Sequence, residues 1–215
     1  QLSEESKNGI EVLDEAAPVG DENPLGYLGL DDEILDVGLT PNRNDCMAAW
    51  SMALETGAIL HKEVNIPYVA GAANVGGASK LIVRSETEKC PLFLGKVINS
   101  VTIKPSPKWM QELLMAAGMK SINNVVDISN IVMLETGQPL HFYDIDAIPA
   151  QEITVKDQQR FAYTALDGES YQIEEDDIVI TTEGKPIGIA GIMGGDDSKI
   201  EETTKGIIIE AAIFH

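Results

Sequence analysis

The central segment of the chain, residues 121–144, reads SINNVVDISNIVMLETGQPLHFYD. It sets Ser129 and Asn130 in an otherwise nearly continuous apolar run and then presents His141 after a Gly-Gln-Pro turn. The β-branched residues at 125–134 favour a strand, but the length of the run and its lack of alternation favour a buried helix, which we predict. Polar side chains in such a setting must be hydrogen-bonded within the protein or used for function.

The rest of the sequence predicts short strands and a few helices. We predict strands at residues 34–39, 80–86 and 92–103, and helices at residues 45–61 and 106–118. Ser106 is the expected N-cap of the second helix, and Gly118 is its expected stop. Beyond Ile153, turns at residues 167–168 and 183–184 separate short strands. The expected fold class is therefore α+β, with a mixed or antiparallel β-sheet core, a few packed helices and a C-terminal third that is mostly β.

Length and composition indicate a globular protein of one large domain or two small ones, since 44% of its 215 residues are hydrophobic and 23% are charged. Residues 1–33 are acidic and rich in Gly and Pro turns, so we expect a connector there and the packed domain at residues 34–215, with a loop at 70–79. No apolar run reaches the roughly 20 residues that span a bilayer. The start at Gln1, without a charged and then apolar leader, favours an internal fragment of a cytoplasmic protein.

Charge and cysteine content narrow the functions further. The net charge of -20 argues against a broad nucleic-acid footprint, because Lys and Arg supply most nonspecific affinity for phosphates. Cys46 and Cys90 stand alone, which favours neither a disulfide framework nor a zinc site and fits a reducing cytoplasm. His61 and His215 share no metal-ligand spacing with His141, so we predict no metal.

Glu210 is the strongest single signal outside the central segment. It interrupts residues 207–214, IIIEAAIF, which have the composition of a buried strand, where an unpaired carboxylate would cost several kcal/mol. Strand alternation places on one face Ile208, Glu210, Ala212 and Phe214. The short Ala212 leaves room beside the carboxylate, which indicates a pocket. Two structural alternatives are a wet strand end and an ion pair with a core Lys or Arg, and the residues alone favour neither view.

Four segments carry a family resemblance: TPNRNDC at 40–46, INNVVD at 122–127, GQPLH at 137–141 and GIAGIMGGDDSKIEETTKGIIIE at 188–210. In this order they resemble the beta subunit of bacterial phenylalanyl-tRNA synthetase, in the editing region (the third and fourth modules) that hydrolyses tRNA mischarged with tyrosine. The resemblance covers roughly residues 30–215. It implies that residues 1–33 follow a tRNA-binding module and that the editing domain is truncated at its C-terminal end, where the family continues into a basic segment.

The resemblance also implies roles for three residues. Pro139 and His141 correspond to residues that line the hydrolytic pocket near the ester, and Glu210 corresponds to the carboxylate that recognises the tyrosine hydroxyl. We therefore take His141 and Glu210 as the candidate catalytic residues. From the residues alone, a single His beside a proline turn is more often structural than catalytic.

Five further positions are candidate substrate-binding residues by the same resemblance. Ser129 and Asn130 correspond to the pocket wall, and Gly191 and Gly194 to the backbone that closes around the amino-acid ring. Lys120 stands where the family often has Arg, and Ser129 where it often has Thr, so one bidentate donor and one methyl group are absent. Lys120 would contact the terminal adenosine.

The implied partners are the 3′ end of tRNA(Phe) carrying tyrosine and the synthetase alpha subunit in an α2β2 assembly, with no membrane. ATP and magnesium belong to the full enzyme, and no cofactor is expected in this region. Two alternatives remain: a noncatalytic module that binds the tRNA 3′ end, and an inert scaffold within the same synthetase. An apolar residue at position 210 would have favoured the first. The second predicts that Glu210 and His141 are satisfied by core partners with no cavity between them.

Overall fold

The computed structural model describes residues 9–10, 12–13, 15–66, 79–165 and 167–215. The loop predicted at residues 70–79 lies outside the described residues except for Ser79, and the predicted connector lies partly outside them. Across the described ranges, no helix is both long enough and apolar enough to cross a membrane.

Within these ranges the chain forms four α-helices: α1 (Pro24–Tyr27), α2 (Ala49–Leu60), α3 (Lys108–Ala116) and α4 (Asn124–Thr136). The strands are β1 (Ile82–Ser85), β2 (Leu92–Ile98), β3 (His141–Asp144), β4 (Glu152–Lys156), β5 (Phe161–Thr164), β6 (Ser170–Ile173), β7 (Val179–Thr182), β8 (Lys185–Ile189), β9 (Met193–Gly194) and β10 (Ile207–Ile213). They form one sheet in the order β1-β4-β7-β8-β9, a second in the order β2-β10-β3, and a β5-β6 hairpin. All the pairs are antiparallel except β1 with β4, which confirms the predicted α+β class.

Helix α4 confirms the prediction for the apolar run. The Asn123 side chain caps its N-terminus by accepting hydrogen bonds from the backbone N–H groups of Val125 and Val126 at 3.1 and 3.0 Å. Gly137 ends it in the left-handed conformation at φ 78°, which glycine adopts without strain. The turn that follows leads the chain directly into β3, whose first residue is His141.

A buried carboxylate joins α4 to α3. Asp127 is fully buried and accepts hydrogen bonds from the hydroxyls of Ser106 and Ser121 and from the backbone N–H of Ile122. The prediction that Ser106 caps α3 is wrong, because its hydroxyl is used by Asp127. Pro107 occupies the cap position and makes no side-chain cap hydrogen bond.

The predicted strand at residues 34–39 is also wrong, since this segment forms no regular structure. Ile34 and Leu35 are 68% and 86% exposed, and none of the strands in the described ranges pairs with the segment. The helix predicted from residue 45 begins instead as a 3₁₀ turn at Asn44–Met47, and α2 starts after an extended Ala48.

The strand predicted at 92–103 stops earlier, at Ile98. Beyond it the chain stays against the sheet region. The N–H of Val101 donates to the carbonyl of Lys205 at 2.7 Å, and Ile103 packs against the cluster that contains Phe142 and Ile207. The predicted turns hold: Gly168 and Gly184 both adopt positive φ between paired strands.

The main core lies between the two larger sheets. Its fully or nearly fully buried members come from both sheets and from the turn after β3: Tyr143, Ile148, Ile153, Ile180, Ile187 and Ile208. Packing of this cluster brings β3 and β10 of one sheet against β7 and β8 of the other. The one polar group of the cluster is the hydroxyl of Tyr143.

Candidate functional site

A cavity of about 380 Å³ opens where β3 and β10 face the β8-β9 hairpin. This volume is in the range of small-molecule sites and can hold one amino-acid side chain. Most of the wall is apolar, with Leu140, Ile180 and Met193 among its residues.

Strand β10 forms one wall. Glu210, Ala212 and Phe214 all line the cavity, as alternation along the strand predicts. Glu210 is 6% exposed, so it does not lie at a wet strand end. Among the described residues it forms no ion pair with a Lys or Arg, so neither structural alternative raised by the sequence is observed.

The adjoining wall comes from β3 and the turn before it, with Pro139, His141 and Tyr143 facing the cavity. In the antiparallel ladder His141 lies directly opposite Glu210. The two polar candidates, distant in sequence, therefore meet through strand register.

The carboxylate of Glu210 accepts a hydrogen bond at Oε2 from the hydroxyl of Tyr143. Burial raises the pKa of Glu210 from its ordinary value of 4.5 to about 7, and the hydrogen bond from Tyr143 opposes part of that rise. Burial, and then the negative charge of Glu210, hold the pKa of Tyr143 well above its ordinary range. Tyr143 therefore remains a hydrogen-bond donor at neutral pH.

Burial also lowers the pKa of His141 from 6.5 to about 4, so the imidazole is neutral at physiological pH. Its ring packs edge-on to Tyr143, with centroids 4.5 Å apart and planes at 74°. The Nε2 atom is buried and has no hydrogen-bond partner within the described part of the chain. The unpaired Nε2 is closed to solvent, so the imidazole ring must move slightly before a bound ligand or water can form a hydrogen bond there.

A protein-family model, the B3/4 domain, matches residues 89–215 of the chain. The chain belongs to the B3/4 domain family. Over its full length it is 40% identical to the phenylalanine–tRNA ligase beta subunit of Streptococcus pneumoniae serotype 4 and 43% identical to that of Bacillus subtilis, in each case covering 27% of the relative. The resemblance to the synthetase beta subunit is confirmed. The chain thus spans about a quarter of the length of these relatives.

Among solved structures, an N-terminal fragment of the phenylalanyl-tRNA synthetase beta subunit from Pyrococcus horikoshii aligns with 64% of this chain and 44% of that fragment. The TM-score is 0.47 and the sequence identity is 12%.

Glycines form the third wall of the B3/4 domain cavity. Gly188, Gly191 and Gly194 line it from β8, the following turn and β9. Gly191 has φ 68°, and an added Cβ there would lie 3.6 Å from Cδ2 of Phe214. A larger residue at this position would be strained and would narrow the cavity.

Three predicted residues of the B3/4 domain lie outside this cavity lining. The hydroxyl of Ser129 donates to the carbonyl of Val126, 2.7 Å away within α4. Asn130 is half-buried on the same helix, and Lys120 is exposed before it. The predicted role of these residues in substrate binding stays a prediction.

Tyr143 is the functional candidate that the sequence reasoning missed. It lies two residues after His141, so alternation along a strand would have placed both on one face. A predicted strand at residues 141–144 would have placed Tyr143 on the same face as His141 and so identified it as a candidate.

The chemistry of the B3/4 domain cavity is restricted by its lining, which contains no Ser, Thr, Cys or Lys among the described residues. No group of three or more His, Cys, Asp or Glu there is arranged to hold a metal ion. The polar groups offered to a ligand are the carboxylate of Glu210, the imidazole of His141, the hydroxyl of Tyr143 and backbone groups.

Proposed function

We propose that this chain forms the editing site of a phenylalanyl-tRNA synthetase, which hydrolyses the ester of tRNA(Phe) mischarged with tyrosine. The observation that carries the proposal is the buried carboxylate of Glu210 on the wall of an otherwise apolar cavity. An apolar cavity fits an aromatic ring, and the carboxylate fits the hydroxyl that distinguishes tyrosine from phenylalanine.

Selection by Glu210 has a physical basis. A pocket built for phenylalanine rejects an added hydroxyl only weakly, so a second site is needed. In that second site the carboxylate accepts a hydrogen bond from the tyrosine hydroxyl, whereas phenylalanine leaves the buried acceptor without that bond. Burial of Glu210 increases the difference, because an unpaired polar group costs most where water cannot replace the partner.

Hydrolysis in this site proceeds by direct attack of water. Among the described residues, the lining contains no Ser, Thr, Cys or Lys that could form a covalent intermediate, and its one side-chain hydroxyl, that of Tyr143, is hydrogen-bonded to Glu210. An aminoacyl ester is already activated, so positioning a water near the carbonyl is the main requirement. His141 orients that water or the ribose through its unpaired Nε2, which a small movement of the ring exposes to the cavity; its pKa of about 4 makes it a weak general base at neutral pH.

The remaining assignments follow from the family. By the same resemblance, Ser129 and Asn130 bind the substrate as pocket-wall residues, and Lys120 contacts the terminal adenosine of tRNA(Phe). The whole protein works in the cytoplasm with a synthetase alpha subunit in an α2β2 assembly, and ATP and magnesium act at its ligation site, with no cofactor in this chain. Residues 1–33 serve as a connector, and residues 34–215 form the editing domain.

The test measures single-turnover hydrolysis of tyrosyl-tRNA(Phe) and phenylalanyl-tRNA(Phe) by the full synthetase that contains this chain. Glu210→Ala should reduce the tyrosine-to-phenylalanine rate ratio by about 30-fold to 150-fold, the equivalent of roughly 2–3 kcal/mol for a hydrogen bond to a charged group. Aminoacylation with phenylalanine should be unchanged, since that chemistry lies elsewhere.

Glu202→Ala is the matched control, because it removes an exposed glutamate outside the cavity. A fall in melting temperature with an unchanged rate ratio would return Glu210 to a structural role. Binding of the tRNA 3′ end without any hydrolysis by the wild type would support the noncatalytic module instead.

A further inference from the structure

Tyr143 is the nearest polar neighbour of Glu210 in the cavity wall. It is fully buried, and its hydroxyl donates to Oε2 of Glu210. Strand pairing sets His141 opposite Glu210, so Tyr143 lies one diagonal step away, a spacing that an aromatic side chain spans. The contact is therefore fixed by the register of β3 and β10 and not by a loop.

The ring of Tyr143 is held on both sides. One side meets the imidazole of His141 at a centroid distance of 4.5 Å. The remainder packs in the main core with Ile153 and Ile208, which are fully buried. A ring held in this way keeps its hydroxyl at one point, which in turn fixes the side-chain conformation of Glu210.

The second oxygen of Glu210 is left open by this arrangement. Among the residues that the structure describes, Oε1 accepts no hydrogen bond, while Oε2 is occupied by Tyr143. A carboxylate has lone pairs on both oxygens and can accept from two donors at once. The cavity beside Glu210 is where a second donor would come from.

On the basis of the proposed function, we propose that Tyr143 is a positioning residue that sets the specificity of this site. It holds Oε2 of Glu210 and thereby presents Oε1 to the cavity, where Oε1 accepts a hydrogen bond from the phenol of a bound tyrosyl group. Two phenols, one from the protein and one from the substrate, then share one carboxylate.

The same hydrogen bond keeps Glu210 an acceptor near neutral pH. Burial raises the pKa of Glu210, and the hydroxyl of Tyr143 is the group that lowers it. The other titratable groups facing the carboxylate are the neutral imidazole of His141 and the thiol of Cys90, whose pKa is raised partly by Glu210. Neither group carries a positive charge that could replace Tyr143.

The first measurement is the pH profile of the tyrosine-to-phenylalanine hydrolysis ratio in the full synthetase. Tyr143→Phe should move the midpoint of that profile upward by about one to two pH units, the size expected for loss of a hydrogen bond to a carboxylate. At pH 7 the ratio should fall about 10-fold, and it should recover by about pH 9, because a smaller fraction of Glu210 is ionised at neutral pH.

Tyr171→Phe is the control, since its hydroxyl also donates to a carboxylate, that of Asp167 at 2.6 Å, but on the exposed β5-β6 hairpin. It should leave the ratio and its midpoint unchanged. In a Glu210→Gln background Tyr143→Phe should have no further effect on the pH profile, since no ionisable partner remains.

The second measurement needs no tRNA: a ¹³C NMR titration of the Glu210 carboxyl carbon in this chain, wild type and Tyr143→Phe. An upward move of the midpoint supports the part of the proposal in which Tyr143 keeps Glu210 ionised and positioned. A wild-type synthetase with no preference for tyrosyl-tRNA would refute the proposed function, and with it the specificity role, whatever the midpoint does. An unchanged midpoint overturns the proposal. So does a moved midpoint in a synthetase whose tyrosine preference is intact and identical in the two proteins.

Discussion

Replacing Glu210 with Gln should change how the stability of the fold depends on pH. The substitution keeps the shape of the side chain and its ability to accept from Tyr143, but removes the ionisable group. Each pKa unit corresponds to about 1.4 kcal/mol, so the rise in the pKa of Glu210 from 4.5 to about 7 corresponds to roughly 3 kcal/mol of unfolding free energy. This is large beside the total stability of a typical domain.

The pKa of Glu210 is raised in the folded state, so the unfolding free energy of the wild type falls as the pH rises. The protonated carboxyl stabilises the folded state fully below pH 4.5, and that stabilisation is lost as the pH rises through about 7. Relative to the wild type, Glu210→Gln should therefore gain roughly 3 kcal/mol of unfolding free energy between pH 4.5 and pH 8. Gln cannot ionise, so the variant does not share the loss.

Urea unfolding of both proteins at a series of pH values measures this difference directly. His141 acts with the opposite sign, since its pKa of about 4 lies below 6.5 and its contribution is lost on acidification, so the two groups offset one another in the wild type. The difference between wild type and variant isolates Glu210. Glu202→Gln, at an exposed glutamate, is the control for the loss of one carboxylate. A constant difference for Glu210→Gln would refute the reasoning.

Three further outcomes are expected. His141→Ala should slow single-turnover deacylation of tyrosyl-tRNA(Phe) by about 10-fold to 100-fold with a smaller effect on binding, because orienting a water contributes less than general base catalysis; an unchanged rate would make His141 structural. Gly191→Ala and Gly184→Ala, both at positive φ, should each lose about 1–2 kcal/mol by urea unfolding, but only the first, whose added Cβ faces Phe214, should slow hydrolysis. Asp127→Ala should cost about 3 kcal/mol in the same assay, because three donors lose their buried acceptor; a cost below 1 kcal/mol would contradict this.

Local sequence patterns predict the elements whose structure depends mainly on residues close together in the sequence. The run at 125–134 is too long for a strand and carries its own cap and stop, Asn123 and Gly137, so α4 could be predicted without knowing its neighbours. The hairpin turns at Gly168 and Gly184 depend on a positive φ that glycine adopts freely, and they too were predictable. The face of β10 that carries Glu210 follows from alternation alone.

The sequence predictions that were wrong or incomplete concern features that depend on residues far away in the sequence. Residues 34–39 have strand composition, but a strand needs a partner, and none is adjacent in the described structure. Ser106 has the type and position of an N-cap, but Asp127, 21 residues away, takes its hydroxyl. The pairing of Glu210 with Tyr143 spans 67 residues and depends on the register of β3 with β10, which no local pattern specifies.

The arrangement of Glu210 and His141 bears on whether the cavity is built for a ligand. A carboxylate and an imidazole directly opposite each other on neighbouring strands would relieve both burial costs by forming an ion pair. No such ion pair forms here. Glu210 accepts a hydrogen bond from Tyr143 instead, and Nε2 of His141 remains without a partner among the described residues. Burial therefore moves the two pKa values in opposite senses, to about 7 and about 4, and the imidazole stays neutral at physiological pH. Each group keeps an unused hydrogen-bonding position beside the same cavity, at a cost to stability that an ion pair would have reduced. An inert scaffold would gain nothing from that cost, whereas the proposed editing site would use both unpaired positions, one for the phenol of tyrosine and one for a water.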